Sequence, residues 1–188
     1  KYLYLLLTFW DRMLEAKKKD APVVLVQGGQ PLEPYYAAGA IPLRPYFVML
    51  WAQNMHEGLN LRQMDWRANS LTEEGRRIVS MEACHQIAAH AAIDNGIVDI
   101  DLIAPYLNLR CSDMAFLTEA HRSNRRRTPT FLVDYPINHQ LDNEWTVTYV
   151  VDTLKRLMQE IEEIGGRKAT EEDLRTIIKL TNRAHKLA

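Results

Sequence analysis

The residues of this chain that are best suited to chemistry are its two cysteines, Cys84 and Cys111. Each stands where the sequence pattern predicts the start of a helix, and the positive field at a helix N-terminus favours a thiolate. Because a thiolate is the form of cysteine that binds metals, the pair indicates a candidate metal or cluster site. From the residues alone two alternatives stay open, namely a disulfide and two unrelated buried thiols.

The elements around the cysteines predict how two residues so distant in sequence come to share a site. Short apolar segments typical of buried strands cover residues 22–26, 41–45, 78–81, 100–105 and 130–134. A helix that begins near Pro31 and ends at Gly39 separates the first two, and this order of strand, helix and strand predicts a parallel sheet. Parallel strands end at one crevice, which predicts that Cys84 and Cys111 face one ligand.

Amphipathic helices account for much of the remaining chain. Apolar residues at helical spacing predict helices over residues 2–19, 84–95, 112–124 and 145–164, and a last helix capped by residues 170–173. The predicted fold class is therefore α/β, a Rossmann-like or flavodoxin-like parallel sheet flanked by helices, with scaffold helices at the C-terminal end. We expect an α/β domain over residues 1–142 and a helical extension over residues 143–188.

The composition is that of an ordinary globular chain. It has 188 residues and a formal net charge of -1, which argues against a nucleic-acid partner. No apolar run reaches the roughly 18 residues of a membrane-spanning helix, and charged residues rather than a cleavage site follow the apolar N-terminal stretch. We therefore expect a cytoplasmic protein with reduced thiols. The chain starts without Met and ends within a helical pattern, so we also expect a fragment.

Three other features have both a functional and a structural interpretation. Gly28 and Gly29 precede a helix and could hold an anion through backbone amides, but the dinucleotide and P-loop patterns are absent and a glycine pair is common in turns. The run Arg125–Arg127 could hold phosphates or lie in solvent. Glu33, on the first turn of the helix after the glycines, stabilises the helix dipole by default.

The order of short motifs along almost the whole chain resembles the N-terminal part of the 2-hydroxyacyl-CoA dehydratase and benzoyl-CoA reductase family. The similar segments are residues 31–42 (PLEPYYAAGAIP), Cys84, residues 111–113 (CSD), residues 132–136 (LVDYP) and residues 181–184 (TNRA). Each segment is short, and their order and spacing together carry the resemblance. His85 and the turn over residues 27–30 depart from a typical member, which leaves the substrate open.

The resemblance implies a subunit of two related α/β domains that binds a [4Fe-4S] cluster through three cysteines. Cys84 and Cys111 match the family's motifs and would supply two ligands, whereas the third is expected in a C-terminal domain outside this chain. Residues 143–188 would lead toward that second domain. The resemblance also implies a homologous subunit as the partner in a heterodimer.

The chemistry implied by the resemblance is radical chemistry on an acyl-CoA substrate. In the family, an ATP-dependent activator protein delivers one electron, and the cluster passes it to the thioester to form a ketyl radical anion. The dehydratases, which are lyases, then eliminate water, whereas the benzoyl-CoA reductases dearomatise a ring in anaerobic metabolism. Glu33 would be a catalytic pocket residue. Two other classes stay open, a non-catalytic cluster-carrying subunit and a structural α/β domain without a cluster.

Overall fold

A computed structural model of the chain describes residues 8–27, 29–45, 70–79, 82, 84–93, 98–107, 128–135 and 143–187. The helices within these ranges are α1 (Phe9–Lys17), α2 (Glu33–Ala37), α3 (Ser70–Arg76), α4 (His85–Ala92), α5 (Glu144–Glu163) and α6 (Glu171–Leu187). The strands are β1 (Val23–Val26), β2 (Ile41–Leu43), β3 (Leu102–Ala104), β4 (Tyr106–Leu107) and β5 (Val133–Asp134).

A parallel sheet lies at the centre of the fold. β1 pairs with β2 on one side and with β3 on the other, so that the strand order is β2-β1-β3. Next to β3, Ile103 forms a parallel bridge with Thr130, and β4 and β5 then pair in parallel as a two-stranded sheet. The α/β fold class with a parallel sheet, which the sequence predicted, is confirmed.

Helices cover both faces of β1, because its alternate residues point into two different hydrophobic layers. Val23 and Leu25 pack with α1 and α4, whereas Val24 and Val26 pack with α2 and α5. All four residues of the strand are buried, which is typical of a central parallel strand with helices on both sides. This layered packing fixes the helices around the ends of the strands.

A carboxylate ties α1 to the start of β1. The Asp101 Oδ2 atom accepts a hydrogen bond from the Val23 amide at 2.7 Å and another from the Lys17 ammonium. Asp99 lies 3.4 Å from the same ammonium. Partial burial lowers the pKa of Lys17, but the hydrogen bond and charge of Asp101, with those of Asp99, outweigh burial and raise the pKa overall.

The segment before Cys84 does not form the strand that we predicted over residues 78–81. The amides of Ile78 and Val79 both donate to the Gly75 carbonyl at 2.9 Å, which closes the end of α3 with a turn. The prediction is therefore wrong for these two residues, while residues 80 and 81 lie outside the described ranges. A short apolar run looks the same in a strand and at the end of a buried helix, which explains the error.

Helices α5 and α6 occupy the positions that the sequence predicted for scaffold helices. The Asn143 side chain caps α5 by accepting a hydrogen bond from the Trp145 amide at 3.0 Å, and Gly165, with φ of +107°, follows its end. At the start of α6, Thr170 Oγ1 accepts from the Asp173 amide at 3.2 Å and Asp173 Oδ2 accepts from the Thr170 amide at 2.9 Å. This reciprocal pair is the predicted capping box, with Asp in place of Glu.

The spacing of apolar residues over 145–164, among them Val147, Val151, Leu157 and Ile161, predicts the face of α5 that packs on the sheet. Leu157 and Ile161 are buried as predicted, but Val147 and Val151 are exposed, and Thr153 is buried instead. The Tyr149 hydroxyl donates to Asp134 Oδ2 at 3.2 Å, which joins α5 to the end of β5.

The segment between α5 and α6 contacts the end of α2. The Arg167 amide donates to the Ala38 carbonyl at 2.9 Å, and Gly39, with φ of +78°, adopts a left-handed conformation beside the Arg167 side chain. The domain boundary after residue 142 stays a prediction. Among the described helices, none is long and apolar enough to cross a membrane.

Candidate functional site

The strands end together on one side of the sheet, which we name the carboxyl edge and define by Gln27, Gln30, Tyr106 and Tyr135. Gln27 and Gln30 follow β1, Tyr106 opens β4 just after β3, and Tyr135 follows β5 directly. Helices α2 and α5 begin after β1 and β5, so their N-termini also lie on this side. Open parallel sheets bind their ligands outside this edge, and it is therefore the candidate functional site.

Cys84 lies at the start of α4, as the sequence predicted. Its backbone is extended, with φ of -63° and ψ of 155°, and its carbonyl accepts the Ala88 amide at 3.0 Å as the N-cap of the helix. The C-terminal residue Ala92 shares a hydrophobic cluster with Val98, which precedes β3. Because this cluster also contains Leu25 of β1 and Ile103 of β3, α4 packs on the sheet, with the exposed Cys84 thiol at its N-terminal end.

Several predicted site residues lie outside the described part of the chain. They are Cys111, Gly28 and the run Arg125–Arg127, so the convergence of Cys84 and Cys111 on one ligand stays a prediction. Within the described ranges, no group of three His, Cys, Asp or Glu side chains is placed to hold a metal ion. The exposed Cys84 thiol is a soft, accessible donor, and it fits a ligand of an iron-sulfur cluster.

Glu33 is the first residue of α2 and is half-buried. The N-cap residue Leu32 makes no side-chain capping bond, which leaves Glu33 as the acidic group in the first turn. Its carboxylate thus stabilises the helix dipole, as expected by default. Because α2 follows β1, Glu33 also lies on the side of the carboxyl edge, and its role as a pocket residue stays a prediction.

Gln30 joins the turn after β1 to the end of β3. Its side chain is buried, its Nε2 donates to the Ala104 carbonyl at 2.7 Å, and its Oε1 accepts a hydrogen bond from the Tyr35 hydroxyl. Gly29, with φ of +93°, takes the left-handed conformation of the turn, and a Cβ there would lie 3.6 Å from the ring of Tyr106. These contacts support the turn interpretation of Gly29.

Three tyrosines and Gln30 form what we name the tyrosine cluster, which consists of Gln30, Tyr35, Tyr106 and Tyr135. The rings of Tyr106 and Tyr135 meet edge to face at 5.0 Å. Burial raises the pKa of Tyr135 to about 12, with Tyr106 adding to the effect, and burial also raises the pKa of Tyr35. Both Tyr35 and Tyr135 are therefore neutral phenols near neutral pH.

The tyrosine cluster has no functional role among the predictions from the sequence. Tyr35 and Tyr135 stood within the motifs that carried the family resemblance, but no side-chain role was attached to them. A usable signal was the position of Tyr106 and Tyr135, each just past a predicted strand. Which strand-end side chains meet depends on the pairing register, and a sequence pattern alone specifies that register weakly for such short strands.

The fold and the site define an α/β protein with a candidate ligand site at the carboxyl ends of parallel strands. A protein-family model described as 2-hydroxyglutaryl-CoA dehydratase, D-component, matches residues 28–188. Because the match covers most of the chain, the chain belongs to this family, and the resemblance inferred from its motifs is confirmed. A comparison with curated proteins finds no significant match.

Proposed function

We propose that this chain is the iron-sulfur part of a subunit of a 2-hydroxyacyl-CoA dehydratase-type enzyme, which eliminates water from an acyl-CoA thioester. The family match over residues 28–188 carries the proposal. The place of Cys84 supports it, because an exposed thiol at a helix start suits a cluster ligand.

The expected cofactor is a [4Fe-4S] cluster held by Cys84, Cys111 and a third cysteine outside this chain. When bound, the cluster supplies one electron at low potential to the thioester carbonyl, which allows the substrate hydroxyl to leave. Cys84 is exposed at the N-cap of α4, which leaves its thiol accessible to iron.

Other residues of the chain would hold the substrate and keep water away from it. Glu33 is half-buried at the start of α2, and we assign it the role of a polar pocket residue that orients the acyl-CoA. Tyr35 is fully buried on the same helix, and the apolar layer of α2 and α5 covers one face of the sheet. An enclosed site would protect a reactive intermediate from water.

The proposed enzyme works with two protein partners. The first is a homologous subunit, which the component designation in the family description supports. The second is an ATP-dependent activator protein that donates the electron. We place the enzyme in the cytoplasm, where cysteine ligands remain reduced.

Anaerobic iron and sulfide analysis of the full-length protein with its partner subunit tests the cofactor. We expect about four irons and four sulfides for each cluster-binding subunit. Cys84→Ala and Cys111→Ala should each lose or degrade the cluster, whereas the control Gln86→Ala, at an exposed position of α4, should retain it. If both cysteine variants keep an intact cluster, the ligand assignment is wrong, and a colourless, iron-free native protein would favour a structural domain.

Turnover in the presence of activator, ATP and reductant tests the reaction. A panel of 2-hydroxyacyl-CoA esters should give enoyl-CoA products, which absorb in the ultraviolet, and benzoyl-CoA should remain unchanged. Reduction of benzoyl-CoA without dehydration of any 2-hydroxyacyl-CoA would instead establish the ring-reductase alternative. A cluster-loaded protein that turns over neither class would point to a non-catalytic, cluster-carrying subunit.

A further inference from the structure

Two hydroxyls of the tyrosine cluster, those of Tyr35 and Tyr135, differ in their pairing. The Tyr35 hydroxyl donates to Gln30, which in turn donates to the Ala104 carbonyl. Tyr135 is half-buried, but its hydroxyl oxygen is hidden from solvent and has no hydrogen-bond partner among the described residues. A buried hydroxyl without a partner costs free energy, and such a group in a native protein calls for a physical explanation.

Two buried threonines of α5, Thr146 and Thr153, also lack hydrogen-bond partners for their hydroxyls within the described ranges. Both threonines belong to α5, whereas the carboxyl edge is formed by residues that follow the strands. Tyr135 belongs to that edge, and its ring meets the ring of Tyr106 edge to face at 5.0 Å. Among the described residues no group reaches its hydroxyl, so a bound ligand is the candidate partner.

The position of Tyr135 indicates what kind of partner this is. The residue follows β5 directly and lies on the carboxyl edge, the side on which open parallel sheets bind ligands. Gln27, which follows β1 on the same edge, also has a buried side-chain oxygen with no partner among the described residues. The Tyr106 ring packs against the ring of Tyr135, and an apolar wall with a few polar groups suits a hydroxyl group on a short apolar chain.

We propose that the Tyr135 hydroxyl forms a hydrogen bond with the 2-hydroxyl group of the acyl chain of a 2-hydroxyacyl-CoA. The inference rests on the proposed function and extends it by assigning a residue that selects the substrate. In the proposed reaction the thioester carbonyl accepts the electron. The 2-hydroxyl group next to it is therefore the polar group of the acyl chain that a protein side chain can bind. A site built to bond a substrate hydroxyl discriminates strongly against the analogue that lacks it.

A binding experiment with the cluster-loaded, full-length protein and its partner subunit tests this proposal without turnover. Isothermal titration under anaerobic conditions compares 2-hydroxybutyryl-CoA, butyryl-CoA and free coenzyme A as probes, for the native protein and Tyr135→Phe. We expect the variant to bind 2-hydroxybutyryl-CoA about tenfold more weakly, as for the loss of one hydrogen bond. Its affinities for butyryl-CoA and coenzyme A should change less than about twofold.

Two further measurements separate this role from a structural one. Tyr36→Phe, which removes an exposed hydroxyl on the same α2 helix as Tyr35, should leave all three affinities unchanged. The thermal midpoint of Tyr135→Phe without ligand should equal or exceed the native value, because no hydrogen bond to a described residue is lost. A clear fall in that midpoint would show that the hydroxyl is satisfied within the protein or by a structural water, and would overturn the inference.

The outcomes distinguish the inference from the proposed function. If the native protein binds neither CoA ester, both are overturned. If the native protein binds the esters but Tyr135→Phe weakens 2-hydroxybutyryl-CoA and butyryl-CoA equally, or weakens neither, the role of Tyr135 is overturned and the proposed function stands.

Discussion

Gly75 of α3 lies so close to Ala88 of α4 that a Cβ atom on Gly75 would sit 1.6 Å from the Ala88 carbonyl oxygen. The Ala88 amide donates to the Cys84 carbonyl at 3.0 Å, so this contact lies one helical turn from the N-cap cysteine. The position of the proposed cluster ligand Cys84 therefore depends on the absence of a side chain at residue 75.

The variant Gly75→Ala should destabilise the protein. In an isolated helix alanine is better than glycine by about 1 kcal/mol, but the added methyl group cannot fit unless the two helix backbones separate. Overpacking of this kind costs about 1–3 kcal/mol and sometimes more, so the steric loss outweighs the gain in helix propensity. Urea unfolding followed by circular dichroism measures the difference.

Gly165→Asn is the control for this glycine replacement. Nothing lies within 4 Å of a Cβ at Gly165, and asparagine tolerates the left-handed conformation that its φ of +107° requires better than most residues. The substitution meets no steric contact, so we expect a loss of about 1–2 kcal/mol from backbone strain alone. An unfolding free energy of Gly75→Ala equal to that of the native protein would contradict the contact between α3 and α4.

Tyr35→Phe should destabilise the protein by about 1–3 kcal/mol. The change removes the hydroxyl that donates to Gln30 and leaves the buried Gln30 side-chain oxygen without that donor. An acceptor left unpaired in the interior loses its hydration without compensation. Chemical denaturation of the native and variant proteins provides the measurement.

The neighbouring Tyr36 serves as the control, because it is 43% exposed on the same helix. Tyr36→Phe makes the same chemical change in contact with solvent, and we expect an effect within about 0.5 kcal/mol. Equal effects of the two variants would show that the bond between Tyr35 and Gln30 contributes nothing to stability.

Thr153→Val should stabilise the protein by about 1 kcal/mol. Thr153 is 2% exposed, and its hydroxyl has no partner among the described residues. Valine has nearly the same shape and a similar helix propensity, so the change mainly removes the desolvation cost of the hydroxyl. The shift in the urea midpoint at an unchanged slope reports this gain.

Thr148, on the same helix, is the matched control for this substitution. Its hydroxyl is exposed and donates to the Glu144 carbonyl at 2.9 Å, so Thr148→Val gains nothing from removing an unpaired group. A loss of stability in Thr153→Val would mean that the Thr153 hydroxyl has found a partner, such as a carbonyl of its own helix or a buried water.

The sequence predicted the elements whose signals are local. β1 is a run of four apolar residues between Pro22 and a glycine turn, and the capping box at Thr170 and Asp173 is visible as a motif. Cys84 was placed correctly at a helix start for the same reason, since apolar spacing and the following stop signal define that helix.

Contacts between distant segments could not be predicted from the sequence. From the sequence, Gly75 is only a residue that weakens a helix, whereas in the structure it allows the close approach of Ala88. Gln30 is likewise only a turn residue in the sequence, whereas in the structure it bonds to Ala104 and Tyr35. These contacts depend on the register of the strands and the crossing of the helices, which local patterns do not encode. The strand predicted ahead of Cys84 was wrong for the related reason that short apolar runs are ambiguous.

The capping box at the start of α6 should titrate at unusually low pH. Hydrogen bonds from the hydroxyl and amide of Thr170, followed by one from Arg167, lower the pKa of Asp173 to about 2 from an ordinary 3.8. Because the folded pKa is the lower one, the carboxylate stabilises the helix start above about pH 3.8 and loses this effect as the pH falls toward 2. The amide chemical shift of Thr170 should follow this titration by NMR.

Two variants test the order of the causes at Asp173. Thr170→Ala removes the hydroxyl that contributes most, and it should raise the midpoint of the titration more than Arg167→Gln does, since the arginine contributes less. Asp173→Asn should abolish the titration and leave the Thr170 amide shift constant from pH 2 to pH 6. A native midpoint near the ordinary 3.8 would contradict the reciprocal bonds between Thr170 and Asp173, because each of them favours the charged carboxylate.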